Sequence, residues 1–193
     1  MNKSVYDSPT GSSPVNRYII TVLVDNEPGV LARVVGMFSG RGYNIDSLNV
    51  AEVVTKEHLS RITIVTHGTN EVVDLIRKQL MTIVPVHTVT NLEDESGPVE
   101  AEVALVYLHV DDSNKKNVLN VCDIYRARKI ENEHGTTVFE IAGTSERINS
   151  FITEITKIVE IEVVRSGPIA ISSLNRDEEE WWEFIMIEML ILI

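Results

Sequence analysis

The sequence predicts an α+β protein built from two small sandwiches, each an antiparallel sheet with helices on one face. Apolar residues alternate where strands are expected and recur at helical spacing between them, in the order strand, helix, strand, strand, helix, strand. That order occurs twice along 193 residues. It is the order of the ferredoxin-like βαββαβ sandwich, so we predict one unit over residues 17–91 and a second over residues 99–173.

The first predicted unit follows residues 1–16, which lack periodicity and are expected to form a flexible leader. A strand over residues 17–24 leads into a helix. We expect Asn26 to cap this helix and Gly42 to end it, because glycine accepts the left-handed conformation common at helix C-termini. The predicted apolar face of the helix consists of Leu31, Val34, Val35 and Phe38.

The chain then turns through Asn44 into a second strand over residues 48–51, and a third strand follows over residues 61–64. A second helix is predicted to begin at Thr69-Asn70. Its expected buried stripe consists of Val72, Leu75, Ile76 and Leu80. The fourth strand, residues 84–90, contains Pro85, which cannot donate a ladder hydrogen bond, so we place that strand at a sheet edge.

The second unit follows an acidic, turn-rich linker over residues 92–98. Alternation then restarts on a strand whose apolar residues share one face: Val99, Ala101, Val103, Leu105 and Tyr107. The next helix has a stripe of Val118, Val121, Cys122 and Tyr125. A hairpin is predicted around His134-Gly135, a helix from Thr144-Ser145 and a final strand over residues 161–165.

The tail over residues 174–193 continues neither pattern: an acidic run leads into a segment that is apolar except at Glu183 and Glu188. It is too short to span a bilayer, which takes about 20 apolar residues. A packing or aggregation-prone end and a partner contact both remain open. Because each sandwich is small and leaves sheet edges bare, we expect oligomerisation.

Net charge, cysteine content and the N-terminal sequence limit which binding partners and which cellular compartment are expected. The formal net charge of −12 argues against nucleic acid and anionic membranes, because both would repel the chain. Cys122 is the only cysteine, so no internal disulfide can form. The N-terminus lacks the basic flank and apolar run of a signal peptide, and we expect a cytoplasmic protein.

No catalytic or metal-binding constellation can be assigned from the residues. The five histidines (His58, His67, His87, His109 and His134) are scattered and have no second ligand at metal-binding spacing. Cys122 lies on an apolar stripe without a local base, which favours a core residue over a nucleophile. We therefore expect no metal site and no catalysis by this chain.

The loop over residues 25–29 is the exception, because a helix N-terminus offers unpaired amides and partial positive charge to a carboxylate. Gly29 has no side chain to block the approach. Asn26 and Asn44, which we expect near this loop, each carry a donor and an acceptor suited to an α-amino or α-carboxylate group. Val30 would help to hold an apolar side chain. The residues alone leave open whether this is an amino-acid site or only a helix cap and a turn.

The segment DNEPGVLARVVGMFSGRGYNIDSLNV, residues 25–50, resembles the opening of an ACT domain, specifically that of the small regulatory subunit of acetolactate synthase (acetohydroxyacid synthase). The resemblance continues through LSRITIVT and IRKQL, and in the second half through FEIAGTSERINSFI and IEVVRSGPIAIS. It departs at Ser172-Ser173-Leu174, where the family usually has a basic residue. It implies that the first sandwich is an ACT domain.

The resemblance further implies a regulatory subunit that binds the large catalytic subunit, raises its activity and transmits feedback inhibition by valine in branched-chain amino acid synthesis. Thiamine diphosphate, magnesium and FAD are then expected on the catalytic partner and none of them in this chain. Carried over by position, the effector contacts are Asn26, Gly29, Val30 and Asn44, between two ACT domains of a homodimer. The alternatives are a stand-alone amino-acid-sensing ACT protein and, more remotely, a small-molecule enzyme on the same scaffold.

Overall fold

The structure, a computed structural model, describes residues 14–53, 58–94, 98–131 and 137–172. The first unit contains β1 (Asn16–Asp25), α1 (Val30–Arg41), β2 (Ser47–Glu52), β3 (Leu59–Gly68), α2 (Asn70–Leu80) and β4 (Val86–Asn91). The second contains β5 (Pro98–Leu108), α3 (Lys115–Ile124), β6 (Arg128–Glu131), β7 (Thr137–Gly143), α4 (Ser145–Thr156), β8 (Ile161–Arg165) and β9 (Ile169–Ser172). The predicted α+β class with two ferredoxin-like units is confirmed. The predicted His134-Gly135 turn, most of the leader and the tail lie outside the described residues.

The first sheet is antiparallel, with strand order β2-β3-β1-β4. The predicted edge position of β4 is confirmed, and Pro85 immediately precedes the strand. Both helices pack on one face of the sheet around a core that includes Ile20, Val22 and Ile64.

Two predicted core residues of the helices are exposed instead. Leu31 of α1 is 40% exposed and Leu75 of α2 is 46% exposed. The residues that α1 buries are Val30, Val34 and Phe38, and those that α2 buries are Val73, Ile76 and Leu80. Each helix carries apolar residues over more than one stripe, and the sheet selects the stripe that matches the rotation of the helix.

The second sheet has the order β6-β7-β5-β8, and β9 pairs with the first part of β5. The prediction that residues 161–165 form the last strand was wrong, because β9 follows Gly167-Pro168. Its four residues are too few to show a strand period. The core of this unit includes Val106, Phe139, Phe151 and the predicted core residue Cys122.

The two units meet on the helix-free face of the first sheet. There Ile19 and Val65 pack against Leu92 and Ala170 of β9. An ion pair between Arg17 Nη2 and Glu100 Oε2, at 2.6 Å, joins β1 to β5. β5 therefore belongs to both units, since its first residues cover the first sheet and its later residues form the centre of the second.

None of the helices in the described ranges is both long and apolar enough to cross a membrane.

Candidate functional site

The loop after β1 is held by the strands on either side of it. The amide of Asp25 donates to the carbonyl of Pro85 at 3.2 Å, and the amide of Asn26 donates to the carbonyl of His58 at 2.6 Å. The carboxylate of Asp25 also lies 2.6 Å from Nε2 of His87. The loop backbone is therefore fixed before α1 begins.

The helix start differs from the prediction that Asn26 caps it. The capping position is Gly29, with φ of 88°, and no side chain accepts a hydrogen bond from the first turn. The first turn contains no acidic residue, and a Cβ placed on Gly29 would meet no atom within 4 Å. Among the described residues, no side chain therefore caps the start of α1 and the space beside Gly29 is open, an arrangement that can receive a carboxylate.

Val30 lies next to this opening, but its side chain is turned into the first core and is only 2% exposed. Its backbone amide contacts the carbonyl of Glu27 at 3.3 Å. Val30 therefore offers no apolar wall to a ligand at the loop, and its amide already donates to the carbonyl of Glu27.

Asn44 lies at the opposite end of the sheet, so the expectation that it lies near the loop of its own chain was wrong. Its carbonyl accepts a hydrogen bond from Oγ1 of Thr66, whereas the loop lies beside His58 and Leu59. The segment of β3 from Leu59 to Thr66 corresponds to about 23 Å of strand. Asn44 lies far from the loop because α1, with 12 residues, carries the chain along the whole sheet before Asn44 is reached.

The amide of Asn44 is oriented by a neighbouring carboxylate. Its Nδ2 donates to Oδ1 of Asp46 at 2.5 Å, and Oδ2 of Asp46 lies 2.6 Å from Nδ1 of His67. Because an ionised carboxylate only accepts hydrogen bonds, Nδ2 of Asn44 must face Asp46. Oδ1 of Asn44 is then turned away from Asp46 and is suited to accept from an ammonium group.

Together the loop and Asn44 supply the two polar contacts that an α-amino acid needs, but at opposite ends of one sheet. The loop offers amides to a carboxylate, and Asn44 offers an oxygen to an ammonium group. Within the described ranges, no three His, Cys, Asp or Glu side chains are arranged to hold a metal ion.

A deeply buried carboxylate with a charged partner lies in the second unit and was not predicted. Glu102, only 3% exposed, accepts from Nε and Nη2 of Arg165 at 2.6 and 2.7 Å and from Oγ of Ser145 at 2.9 Å. Burial by itself raises the pKa of Glu102, but the hydrogen bonds from Arg165 and Ser145 outweigh it and hold the pKa below its usual value. The sequence pattern gave no signal for it, because Glu102 lies on the side of the strand opposite to the apolar face that includes Val103 and Leu105.

Cys122 is a core residue of the second unit, as its position on the apolar stripe predicts. It is a free, buried thiol, and burial raises its pKa to about 11. A thiol with so high a pKa supplies almost no thiolate at neutral pH.

Comparison with known proteins relates both halves of the chain to the same kind of protein. Residues 20–88 match the family described as the AHAS small subunit-like ACT domain, and residues 101–174 match the family described as the small subunit of acetolactate synthase. The chain is 38% identical over 157 residues to the acetolactate synthase isozyme 3 small subunit of Escherichia coli, covering 81% of this chain and 95% of that protein.

Similarity extends to a probable acetolactate synthase small subunit of Archaeoglobus fulgidus, 33% identical over 160 residues, which cover 83% of this chain and 99% of that protein. Among solved structures, the acetolactate synthase small subunit of Thermotoga maritima superposes with a TM-score of 0.72 at 32% identity. That match covers 83% of this chain and 99% of the Thermotoga chain.

Proposed function

The chain belongs to the family of acetolactate synthase small subunits, and we propose that it activates the large catalytic subunit and confers feedback inhibition by valine. Thiamine diphosphate, magnesium and FAD would reside on the large subunit, which performs the chemistry. The match of residues 101–174 to a small-subunit family favours this role over a stand-alone amino-acid sensor, because that half is not explained by an ACT domain alone.

The main support for an effector site between two chains is the distance that separates the loop at Gly29 from Asn44 within one chain. In one chain the loop at Gly29 and the amide of Asn44 lie at opposite ends of β3, too far apart to bind one amino acid. A composite site between two chains removes this difficulty, because the loop of one protomer would meet Asn44 of its partner.

The edge position of β2 supports such a dimer. β2 pairs only with β3 within the described sheet, so its outer edge is open to a second copy. Under two-fold symmetry the β2 strands would run antiparallel, and the start of one would lie beside the end of the other. Asn44 precedes the start of β2, and the loop lies near its end beside His58. Each dimer would thus hold two sites.

At each site the α-carboxylate of valine would bind the first-turn amides of α1, and its ammonium group would bind Oδ1 of Asn44 from the partner chain. The loop side of the site is formed by Asn26, Gly29 and Val30. Valine bridging two chains would favour one dimer arrangement, to which the catalytic subunit responds. The inhibition can be no larger than the difference in valine affinity between the two arrangements, typically about 1–3 kcal/mol.

A valine titration of the reconstituted enzyme tests this proposal. In Asn44→Ala the ammonium acceptor is lost, and in Gly29→Asp a carboxylate competes for the first-turn amides. Both variants should keep activation of the catalytic subunit and lose inhibition by valine. Asn120→Ala on α3 and Gly36→Asp on the exposed side of α1 serve as matched controls and should behave as the unmodified chain. Inhibition that persists in both site variants would contradict the proposed site.

A further inference from the structure

A cavity of about 430 Å³ lies between the two units, and none of Asn26, Gly29, Val30 and Asn44 lines it. It is bounded by the helix-free side of β2 and β3 and by the ribbon of β5 and β9. Its walls are mainly apolar: Ala51, Val53, Val99, Ala101, Ile169 and Ile171. The volume falls within the range of about 300–1,000 Å³ that is typical of small-molecule sites.

Arg61 is the cation that lines this cavity. It is paired in register with Ala51 on β2, so both side chains lie on the same face of the sheet. Its neighbour Ile62 faces the helices and belongs to the first core, which places Arg61 on the opposite, helix-free face. No ion pair or hydrogen bond engages the guanidinium of Arg61 among the residues that the structure describes.

The two acidic residues of the cavity lining do not neutralise Arg61. Glu100 binds Arg17 through one oxygen and the amide of Ser145 through the other. Oε1 of Glu52 lies 3.8 Å from Nδ1 of His58, just beyond the end of β2. Among the described residues, the half-buried guanidinium therefore has no anion of the kind that a charged group next to apolar walls requires.

We propose that this cavity binds a small aliphatic carboxylate, with the carboxylate on Arg61 and the hydrocarbon chain along the apolar walls. A guanidinium matches a carboxylate with two parallel hydrogen bonds. The exposed Val99, Ile169 and Ile171 side chains would be covered by the hydrocarbon chain. The site would couple the two units, because its ligand contacts β2 and β3 on one side and β5 and β9 on the other.

Calorimetric titration of the full chain with hexanoate tests the proposal. Hexan-1-ol and hexylamine have the same chain length without the negative charge and serve as comparison ligands. Hexanoate should bind saturably and at least about tenfold more tightly than either, as expected for a charge-assisted contact to Arg61. Affinity should also rise from acetate through butanoate to hexanoate as more of the walls is covered.

Variants distinguish this cavity from binding elsewhere. Arg61→Gln should weaken hexanoate binding about tenfold or more, and Ala101→Phe should abolish it by filling the apolar end. Lys116→Gln, which removes a charge from the exposed surface of α3, is the matched control and should leave it unchanged. The proposal is overturned if hexanoate does not bind, if hexan-1-ol binds equally well, or if Ala101→Phe binds as the unmodified chain does. If Arg61→Gln does not fold, the proposal is still tested by Ala101→Phe and by the comparison of acetate, butanoate and hexanoate.

Discussion

The two sandwiches share one element order, yet they differ in what covers their sheets. In the first, helices cover one face, and β9 with the start of β5 packs on the other. In the second, α3 and α4 cover one face, while the other exposes Val103, Leu105, Tyr107 and Val164. The same topology therefore produces one sheet with two packed faces and one sheet with an open apolar face.

The difference arises from the length of β5. Its first residues, Pro98–Ala101, pair with β9 and extend over the first unit, and the residues from Glu102 onward build the second sheet. The second unit thus covers the helix-free face of the first sheet, while the helix-free face of its own sheet stays exposed. Contiguous apolar faces of this kind are typical of surfaces that contact other proteins.

The largest expected effect is on the core of the second unit. Phe151 is fully buried, and Phe151→Ala should lower the free energy of unfolding by about 3–5 kcal/mol, because it removes buried apolar area and leaves a cavity. Urea unfolding followed by circular dichroism measures this loss, and Phe151→Leu is the conservative control. A loss below about 1 kcal/mol would mean that the second unit contributes little to overall stability.

The charged contacts should also differ between the units. Arg165→Met leaves Glu102 buried without its partner and should cost about 3 kcal/mol, whereas Arg17→Met removes a more exposed pair and should cost about 1 kcal/mol or less. Replacing Glu102 and Arg165 together with Met should recover part of the loss. Equal losses from the two single substitutions would contradict the distinction between an ion pair whose carboxylate is fully buried and one whose carboxylate is partly exposed.

The contribution of Glu102 should depend on pH with a definite sign. Its pKa is lower in the folded chain than in the unfolded chain, so its stabilising effect is present above the unfolded pKa and is lost as the pH falls through the folded pKa. The stability gap between the unmodified chain and Arg165→Met should therefore be wide at neutral pH and narrow in acid. A gap that widens in acid would contradict this sign.

The open face of the second sheet should tolerate a polar residue. Leu105→Gln should change the stability of the isolated chain by no more than about 0.5 kcal/mol, because the side chain is already exposed. Val106→Gln, one residue along on the buried face, is the matched contrast and should be strongly destabilising. A large loss from Leu105→Gln would show that something covers this face in solution.

The smallest effect is expected at Cys122. Because the thiol is buried and its pKa is raised to about 11, iodoacetamide should not alkylate it in the folded chain at pH 8. Mass spectrometry should detect alkylation only after unfolding in urea. Rapid alkylation of the folded chain would indicate that α3 opens readily.

Residue patterns predicted the fold class, the edge position of β4 and the end of α1 at Gly42, because alternation, proline and glycine act locally. They did not predict β9, which is recognisable only from its pairing with β5, or the exposure of Leu31 and Leu75, which depends on how each helix is rotated on its sheet.

The candidate site was harder to predict, because its geometry depends on distances along the whole sheet. Sequence adjacency suggested that Asn44 returns to the loop, and the length of α1 carries it to the other end. The predicted unit boundaries and the effector role of Asn26, Gly29, Val30 and Asn44 remain predictions.

A mixed dimer tests most directly whether the amino-acid site lies between two chains. Gly29→Asp and Asn44→Ala chains carrying different tags would be coexpressed, the mixed dimers isolated and valine binding measured by calorimetry. Each variant homodimer should bind no valine. The mixed dimer should bind one valine per two chains, because the intact loop of one chain meets the intact Asn44 of the other. A mixed dimer that binds none, although the unmodified chain binds valine, would contradict a site shared between protomers.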